Sequence, residues 1–388
     1  MNPFSPLDLL NFESLLSSEE RSIQLSVRKF IDTEVMPYIS DWFSKDHFPK
    51  HLMKEFGNLG ALGSTLNGYD CPGLSQTHYG LIMHEIERAD SGIRSAVSVQ
   101  GALCMYPIYA YGSEELKNKF LPKMTKGELI GCFGLTEPDF GSNPGGMLTS
   151  AKKDGKDFVL NGTKMWITNG SVADLAIVWA KNDEEKVIGL VVEKDFPGFQ
   201  VKDIKNKFSL RASVTSELHF DNCRVPTKNQ LQVLGLKGPF SCLNNARFGI
   251  AWGAIGAAQA CLDEVIQYTK TRIQFDKPLA GFQMIQNKIA DMATEITKAQ
   301  FMTLQLSRLK EKNVAEPYQI SICKMNNVRM ALQIARTCRD MLGASGITYE
   351  YQVARHLLNL ESVVTYEGTE DIHKLIIAEK VTGLAAYK

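Results

Sequence analysis

Leu175-Ala-Ile-Val-Trp179, Val187-Ile-Gly-Leu-Val-Val192 and Glu217-Leu-His-Phe-Asp221 set the middle of this chain apart. The first two are short apolar runs rich in β-formers, and the third alternates with period two. Asp154-Gly155 and Asn161-Gly162 are dipeptides of the kind that closes β-hairpins. Residues from about 129 to 236 therefore read as a β-domain, a barrel or sandwich of antiparallel strands. On both sides the period becomes helical. Ser17-Ser18-Glu19-Glu20 offers a cap with acids in the first turn. Ile82, Ile86 and Ala89 share one helix face, and Ser91-Gly92 breaks that helix. Residues 241–273 and 284–312 read as long helices, Pro317 marks a break, and further helices follow to about 342. The expected fold class is α+β: a helical N-domain over 1–128, a middle β-domain over 129–236 and a helical C-domain over 237–388.

Composition narrows the function. A chain of 388 residues can bury a large core. Lys+Arg and Asp+Glu both number 43, and this charge balance argues against nucleic acid as the main partner. The eight cysteines are scattered with no C-x-x-C pair, so neither a metal site nor a disulfide framework is expected. No apolar run reaches membrane-spanning length, which argues against membrane insertion. Met1 to Ser22 holds acidic residues and no arginine before Arg21, and the chain closes on Ala385-Ala386-Tyr387-Lys388 without a targeting tripeptide. The expected location is the cytoplasm of a bacterial type of cell, or an organelle for a mature form.

Three stretches can carry chemistry. Tyr366-Glu367-Gly368-Thr369 puts a carboxylate beside a backbone break ahead of the last helical segment. It can be a general base if burial raises its basicity. It can equally be a helix N-terminus, with Thr369 as cap and Glu370 and Asp371 in the first turn. Phe133-Gly-Leu-Thr136-Glu-Pro138, with Phe140-Gly141-Ser142-Asn143 after it, is a broken loop that supplies hydroxyls and N–H groups to a ring edge or a phosphate, or is a capped turn. In Asn161-Gly-Thr-Lys-Met-Trp166-Ile-Thr168-Asn169, Trp166 can flank a planar ring while Thr168 bonds its polar edge, or Trp166 can be core. Arg272-Ile-Gln-Phe275 closes a long helical stretch, and by itself Arg272 reads as a solvated helix charge.

Taken in order, together with Asp340-Met-Leu-Gly343-Ala-Ser-Gly346, these stretches resemble the acyl-CoA dehydrogenases over nearly the whole chain. That resemblance implies FAD as cofactor, an acyl-CoA substrate, electron-transferring flavoprotein as partner and a homotetramer with FAD at a subunit interface. It implies Glu367 as the catalytic base. Leu135, Thr136, Ser142, Trp166, Thr168, Arg272, Phe275, Gly343, Thr369 and Asp371 match cofactor contacts. Ser142 matches the thioester side as well. Leu243-Asn244-Asn245-Ala246-Arg247 resembles the segment that grips pantetheine, with Arg247 as an interior or phosphate-side cation, or in a structural salt bridge. Two departures stand out: Gly343-Ala344-Ser345-Gly346 replaces Gly-Gly-Asn-Gly, and Asn143 stands where Asp is usual.

Within that family, Glu87 to Gln100, Pro107 to Glu115 and Lys207 to Ser213 resemble the glutaryl-CoA dehydrogenase subgroup. The resemblance implies that Arg94 holds the far carboxylate of a dicarboxylic acyl chain, with Glu87 and Ser95 in the same pocket and Tyr366 also on the substrate side; Ile93 stands where the subgroup often has Tyr. A buried distal anion needs such a fixed partner. The plainer alternative pairs Arg94 with Asp90 along one continuous helix. The implied reaction is oxidation of glutaryl-CoA and loss of CO2 to give crotonyl-CoA. A short-chain acyl-CoA dehydrogenase or oxidase, and a form that stops before decarboxylation, stay open.

Overall fold

The computed structural model describes residues 8–386. Met1–Leu7 and Tyr387–Lys388, which include part of the stretches read for targeting signals, lie outside the described residues. The chain opens with α1 (Ser18–Phe30), capped as its sequence suggests: Ser17 accepts from the Glu20 N–H while the Glu20 side chain accepts from the Ser17 N–H. Then come α2 (Gln76–Ala89), α3 (Ser91–Ser98) and α4 (Glu114–Thr125). Ile82, Ile86 and Ala89 are fully buried; each of the two isoleucines contributes roughly 1.5–3 kcal/mol.

The break in this region falls one residue earlier than the Ser91-Gly92 reading placed it. Asp90 adopts an extended φ of −162°, and its carboxylate caps the new helix by accepting from the Gly92 N–H at 2.7 Å. Ser91 and Gly92 begin α3 rather than ending α2.

Eight strands form one mixed sheet: β1 (Gly131–Gly134), β2 (Ser150–Asp154), β3 (Asp157–Thr168), β4 (Leu175–Lys181), β5 (Val187–Glu193), β6 (Phe199–Asp203), β7 (Thr215–Pro226) and β8 (Gln230–Leu234). Their order is β8-β5-β4-β2-β3-β7-β6, with β1 added against β4. The expectation of purely antiparallel strands is corrected here. β1 runs parallel to β4, pairing Gly131 with Leu175, and β2 meets β4 in parallel at Ser150 and Lys181. A hairpin of β2 and β3 lies between β1 and β4 in the chain, which lets the strand enter from the same end.

Asp154-Gly155 does turn that hairpin, but Asn161-Gly162 does not close one. It lies inside β3 where the register against β7 slips between Leu160 and Gly162. Thr149 crowds the position, so a Cβ on Gly162 would sit 2.5 Å from the threonine hydroxyl. A second slip between Lys164 and Ile167 marks a bulge.

After the sheet come α5 (Lys237–Thr271), α6 (Gln283–Glu311), α7 (Pro317–Met341), α8 (Gln352–Val363) and α9 (Glu370–Thr382). Pro317 is the first residue of α7, where its missing N–H costs nothing. One amide joins all three zones: Asn359 of α8 accepts from the Leu210 N–H of the loop before β7 at 2.7 Å and donates to Asp90 at 2.8 Å.

Candidate active site

α8 ends at Val363 and α9 starts at Glu370, capped by the Thr369 hydroxyl, which accepts from the Ile372 N–H at 3.2 Å. The turn between them carries Tyr366, Glu367 and Gly368. Glu367 has a left-handed φ of 52°, and Gly368 follows at +99°. For Glu this conformation costs about 1–2 kcal/mol, so the surroundings must hold it. They do: the Arg247 guanidinium of α5 donates to the Glu367 carbonyl at 2.6 Å. Arg247 is thus turned to the interior. Glu367 is half-buried, but its Oε2 is enclosed and has no hydrogen-bond partner. Burial pushes its pKa up; Arg94, Arg247 and Lys324 pull against that, and Glu87 adds to it. A free, basic carboxylate oxygen in a left-handed turn is suited to taking a proton.

Beside it, α2 and α3 deliver a charged group to the same place. Arg94 and Glu87 are both fully buried and paired at 2.6 Å through Nε and Oε2. Arg94 also donates to the Tyr366 hydroxyl and lies over that ring, 5.7 Å from its centroid. The helix break settles the alternative: Asp90 points to Gly92, Asn359 and Arg355 instead of Arg94. Arg94 Nη1 and Glu87 Oε1 are enclosed with no partner. The site therefore keeps a spare donor and a spare acceptor in a low-dielectric setting, where unmade hydrogen bonds are costly. Gly253 of α5 makes room for Glu87: a Cβ there would lie 1.9 Å from Oε2. Ser95 is buried next to Arg94 on α3.

A second group lies on the sheet. The β3 bulge puts Trp166 at a left-handed φ of 65° with its side chain 57% exposed, so it is no core residue. Beside it the Met165 N–H donates to the Thr136 carbonyl at 2.8 Å. Leu135 is buried, while Thr136 and Thr168 are half-buried. Beneath them, buried Lys164 donates to the Leu135 carbonyl at 3.1 Å and to Glu137 at 2.8 Å. Glu137 in turn accepts from the Leu148 and Thr149 N–H groups at 2.6 and 2.9 Å. Burial pulls the Lys164 pKa down to about 8 with Glu137 opposing, and the Glu137 pKa is lowered: burial would raise it, but Lys164 prevails. Lys164→Met would strand Glu137 in the interior. We expect a loss of about 3–5 kcal/mol in urea unfolding; a loss below about 1 kcal/mol would mean that the pair does not hold this loop.

Comparison with known proteins agrees with this geometry. The N-terminal, middle and C-terminal domain families of acyl-CoA dehydrogenase match residues 17–128, 132–223 and 235–382. The chain belongs to the acyl-CoA dehydrogenase family. A glutaryl-CoA dehydrogenase from Mycobacterium smegmatis, solved in complex with FADH2, is 52% identical over 99% of this chain and 100% of its own, with a TM-score of 0.98. A glutaryl-CoA dehydrogenase from Desulfococcus multivorans is 34% identical over 94% of this chain and 96% of its own. Butyryl-CoA dehydrogenase from Megasphaera elsdenii is 30% identical over 94% and 98%, with a TM-score of 0.91.

In this acyl-CoA dehydrogenase the two groups account for Glu87, Arg94, Ser95, Arg247, Tyr366 and Glu367, and for Leu135, Thr136, Trp166 and Thr168. Thr369 caps α9 directly after the Glu367 turn, and no side-chain hydrogen bond or ion pair among the described residues ties the other residues singled out by sequence to either group. Ser142 is exposed on the loop after β1. Leu243 and Asn244 are half-buried near the start of α5. Arg272 is exposed past the end of α5, and Phe275 is 87% exposed. Gly343 opens an exposed turn, and Asp371 faces solvent beside Lys374. Among the described residues, no cluster of His, Cys, Asp or Glu could hold a metal and no helix is long and apolar enough to cross a membrane.

Sequence reading missed Lys324 of α7. It is 1% exposed, and its ammonium donates to the Tyr366 and Gly368 carbonyls at 3.2 and 2.8 Å. The signal was present. Ile320, Lys324 and Val328 are four residues apart, so this lysine lies on the buried stripe of its helix.

Proposed function

We propose that this chain is an FAD-dependent glutaryl-CoA dehydrogenase that converts glutaryl-CoA to crotonyl-CoA and CO2, passes electrons to electron-transferring flavoprotein and works as a homotetramer. We also divide it into units at 1–128, 129–236 and 237–388. One observation carries the substrate reading: a fully buried arginine with a spare Nη1 stands beside a free carboxylate. An alkyl chain would leave that donor unmet, and a distal carboxylate would satisfy it.

The residues at hand fit FAD. Trp166 offers an uncovered indole face, and Thr136 and Thr168 flank it with hydroxyls. Leu135 and the Glu137–Lys164 pair would support the ring side. Ser142, Gly343, Thr369 and Asp371 would serve its phosphates and nucleotide, and exposed Arg272 and Phe275 a neighbouring subunit's FAD. When bound, FAD supplies the acceptor for the β-hydride.

Glu367 takes the α-proton through its free Oε2. Loss of both hydrogens gives glutaconyl-CoA, whose distal carboxylate Arg94 holds with Glu87, Ser95 and Tyr366 around it. Cleavage of the bond to that carboxylate releases CO2 and leaves its electron pair in a dienolate delocalised to the thioester. Glu367 returns its proton to the γ-carbon, and crotonyl-CoA forms. Leu243, Asn244, Arg247 and Ser142 line the CoA side in this reading.

Anaerobic mixing with glutaryl-CoA tests it. A yellow protein with about one FAD per chain should bleach and release CO2. Bleaching by butyryl-CoA alone would assign a short-chain acyl-CoA dehydrogenase instead. Bleaching without CO2 would assign a form that stops at glutaconyl-CoA.

A further inference from the structure

Lys324 carries an inference beyond that chemistry. A buried ammonium is costly unless it is paired. Yet Lys324 makes no ion pair with a carboxylate among the described residues; its hydrogen bonds go to two peptide carbonyls. Those belong to Tyr366 and Gly368, the residues on either side of Glu367. Arg247 holds the carbonyl between them at 2.6 Å. Three successive carbonyls are thus fixed by two cations from two helices. A packing role needs no such group, since an apolar side chain would fill the stripe of Ile320 and Val328.

We propose that Lys324 is a positioning residue that sets the orientation of the Glu367 carboxylate through the two peptide carbonyls flanking it. The turn it grips has two consecutive positive φ values, a shape with little support of its own. Releasing the grip lets the turn relax and moves the carboxylate away from the carbon it must reach. Misplacement by about 1 Å costs on the order of a hundredfold in rate.

The charge acts as well. Burial lowers the Lys324 pKa to about 7; Glu367 and Glu370 oppose this, while Arg247 and Arg94 add to it. His373 also packs here, its Nδ1 3.0 Å from the Ser321 hydroxyl and its own pKa lowered to about 3 by burial. Among these groups Lys324 is one of three cations that favour the ionised form of Glu367.

The inference rests on the reading of Glu367 as the base, and two measurements keep the two apart. The first needs no substrate. The Glu367 carboxyl is titrated by 13C NMR in the purified protein, assigned by its absence in Glu367→Gln. In Lys324→Met its midpoint should rise by about one pH unit, and Lys324→Arg should restore it. The second follows flavin reduction by glutaryl-CoA in a stopped flow. Lys324→Met should lose about a hundredfold in the reduction rate with substrate Kd within about threefold, and its acid limb should move to higher pH. An unmoved midpoint together with a reduction rate within about threefold of the parent overturns the proposal. Should Lys324→Met not fold, Lys324→Gln carries the same comparison; failure of both to fold assigns Lys324 to the fold and overturns positioning. A parent enzyme that no acyl-CoA bleaches would sink the function and still leave the titration to decide on Lys324.

Discussion

Glu367→Gln is expected to bind glutaryl-CoA and leave the flavin unbleached. The amide keeps the size and fits the same left-handed turn, so the Arg247 and Lys324 bonds to the backbone survive. It cannot accept the proton, and a general base contributes ~10²–10⁴-fold. Stopped-flow flavin reduction reads the loss; a drop smaller than about tenfold would mean that another group takes the proton. The parent enzyme carries a second signature. Burial raises the Glu367 pKa, and with Glu367 as the proposed base the carboxylate would be the active form. Activity should therefore rise with pH through a midpoint above the ordinary carboxylate range and fail below it. A limb at or under that range would contradict the burial.

Arg94→Gln should separate two substrates. Breaking a buried pair on one side costs roughly 3–5 kcal/mol, and about 1.4 kcal/mol is tenfold. The expected loss in kcat/KM for glutaryl-CoA is thus roughly a hundred- to several-thousand-fold. Butyryl-CoA has no distal charge, so its turnover should change far less. The structure adds a control. Glu87 loses its partner in this variant, so part of any effect is local destabilisation, which both substrates would register alike. Equal falls for both would make Arg94 a structural residue and remove the main support for a dicarboxylic substrate.

Much of this was legible in the residues because periodicity is local. The α1 cap, the buried face of Ile82, Ile86 and Ala89, and the long α5 and α6 all follow from three- and four-residue spacing. Strand direction is not local. The parallel pairing of Gly131 with Leu175 depends on where the chain returns after about forty residues, and nothing in either run states it. Asn161-Gly162 misled because the same dipeptide that closes a hairpin also relieves crowding at a bulge. In the candidate site, sequence singled out the residue types with obvious chemistry, Glu367, Arg94 and Trp166. Lys324 was overlooked: its four-residue spacing with Ile320 and Val328 marked it as buried, but its partners are backbone carbonyls, so no pattern named its role.

The single amide of Asn359 bears on how such a chain can change over time. Its oxygen serves the sheet region and its nitrogen serves the start of α3, the helix that carries Arg94. Cutting the chain near 128 or 235 would therefore separate segments that share one buried junction. The three matched regions are lengths of text, and they are not interchangeable parts. An acyl pocket borrowed from a relative would have to arrive with the α8 and Leu210 surfaces that keep Asp90 in its place, or its arginine would be delivered out of line.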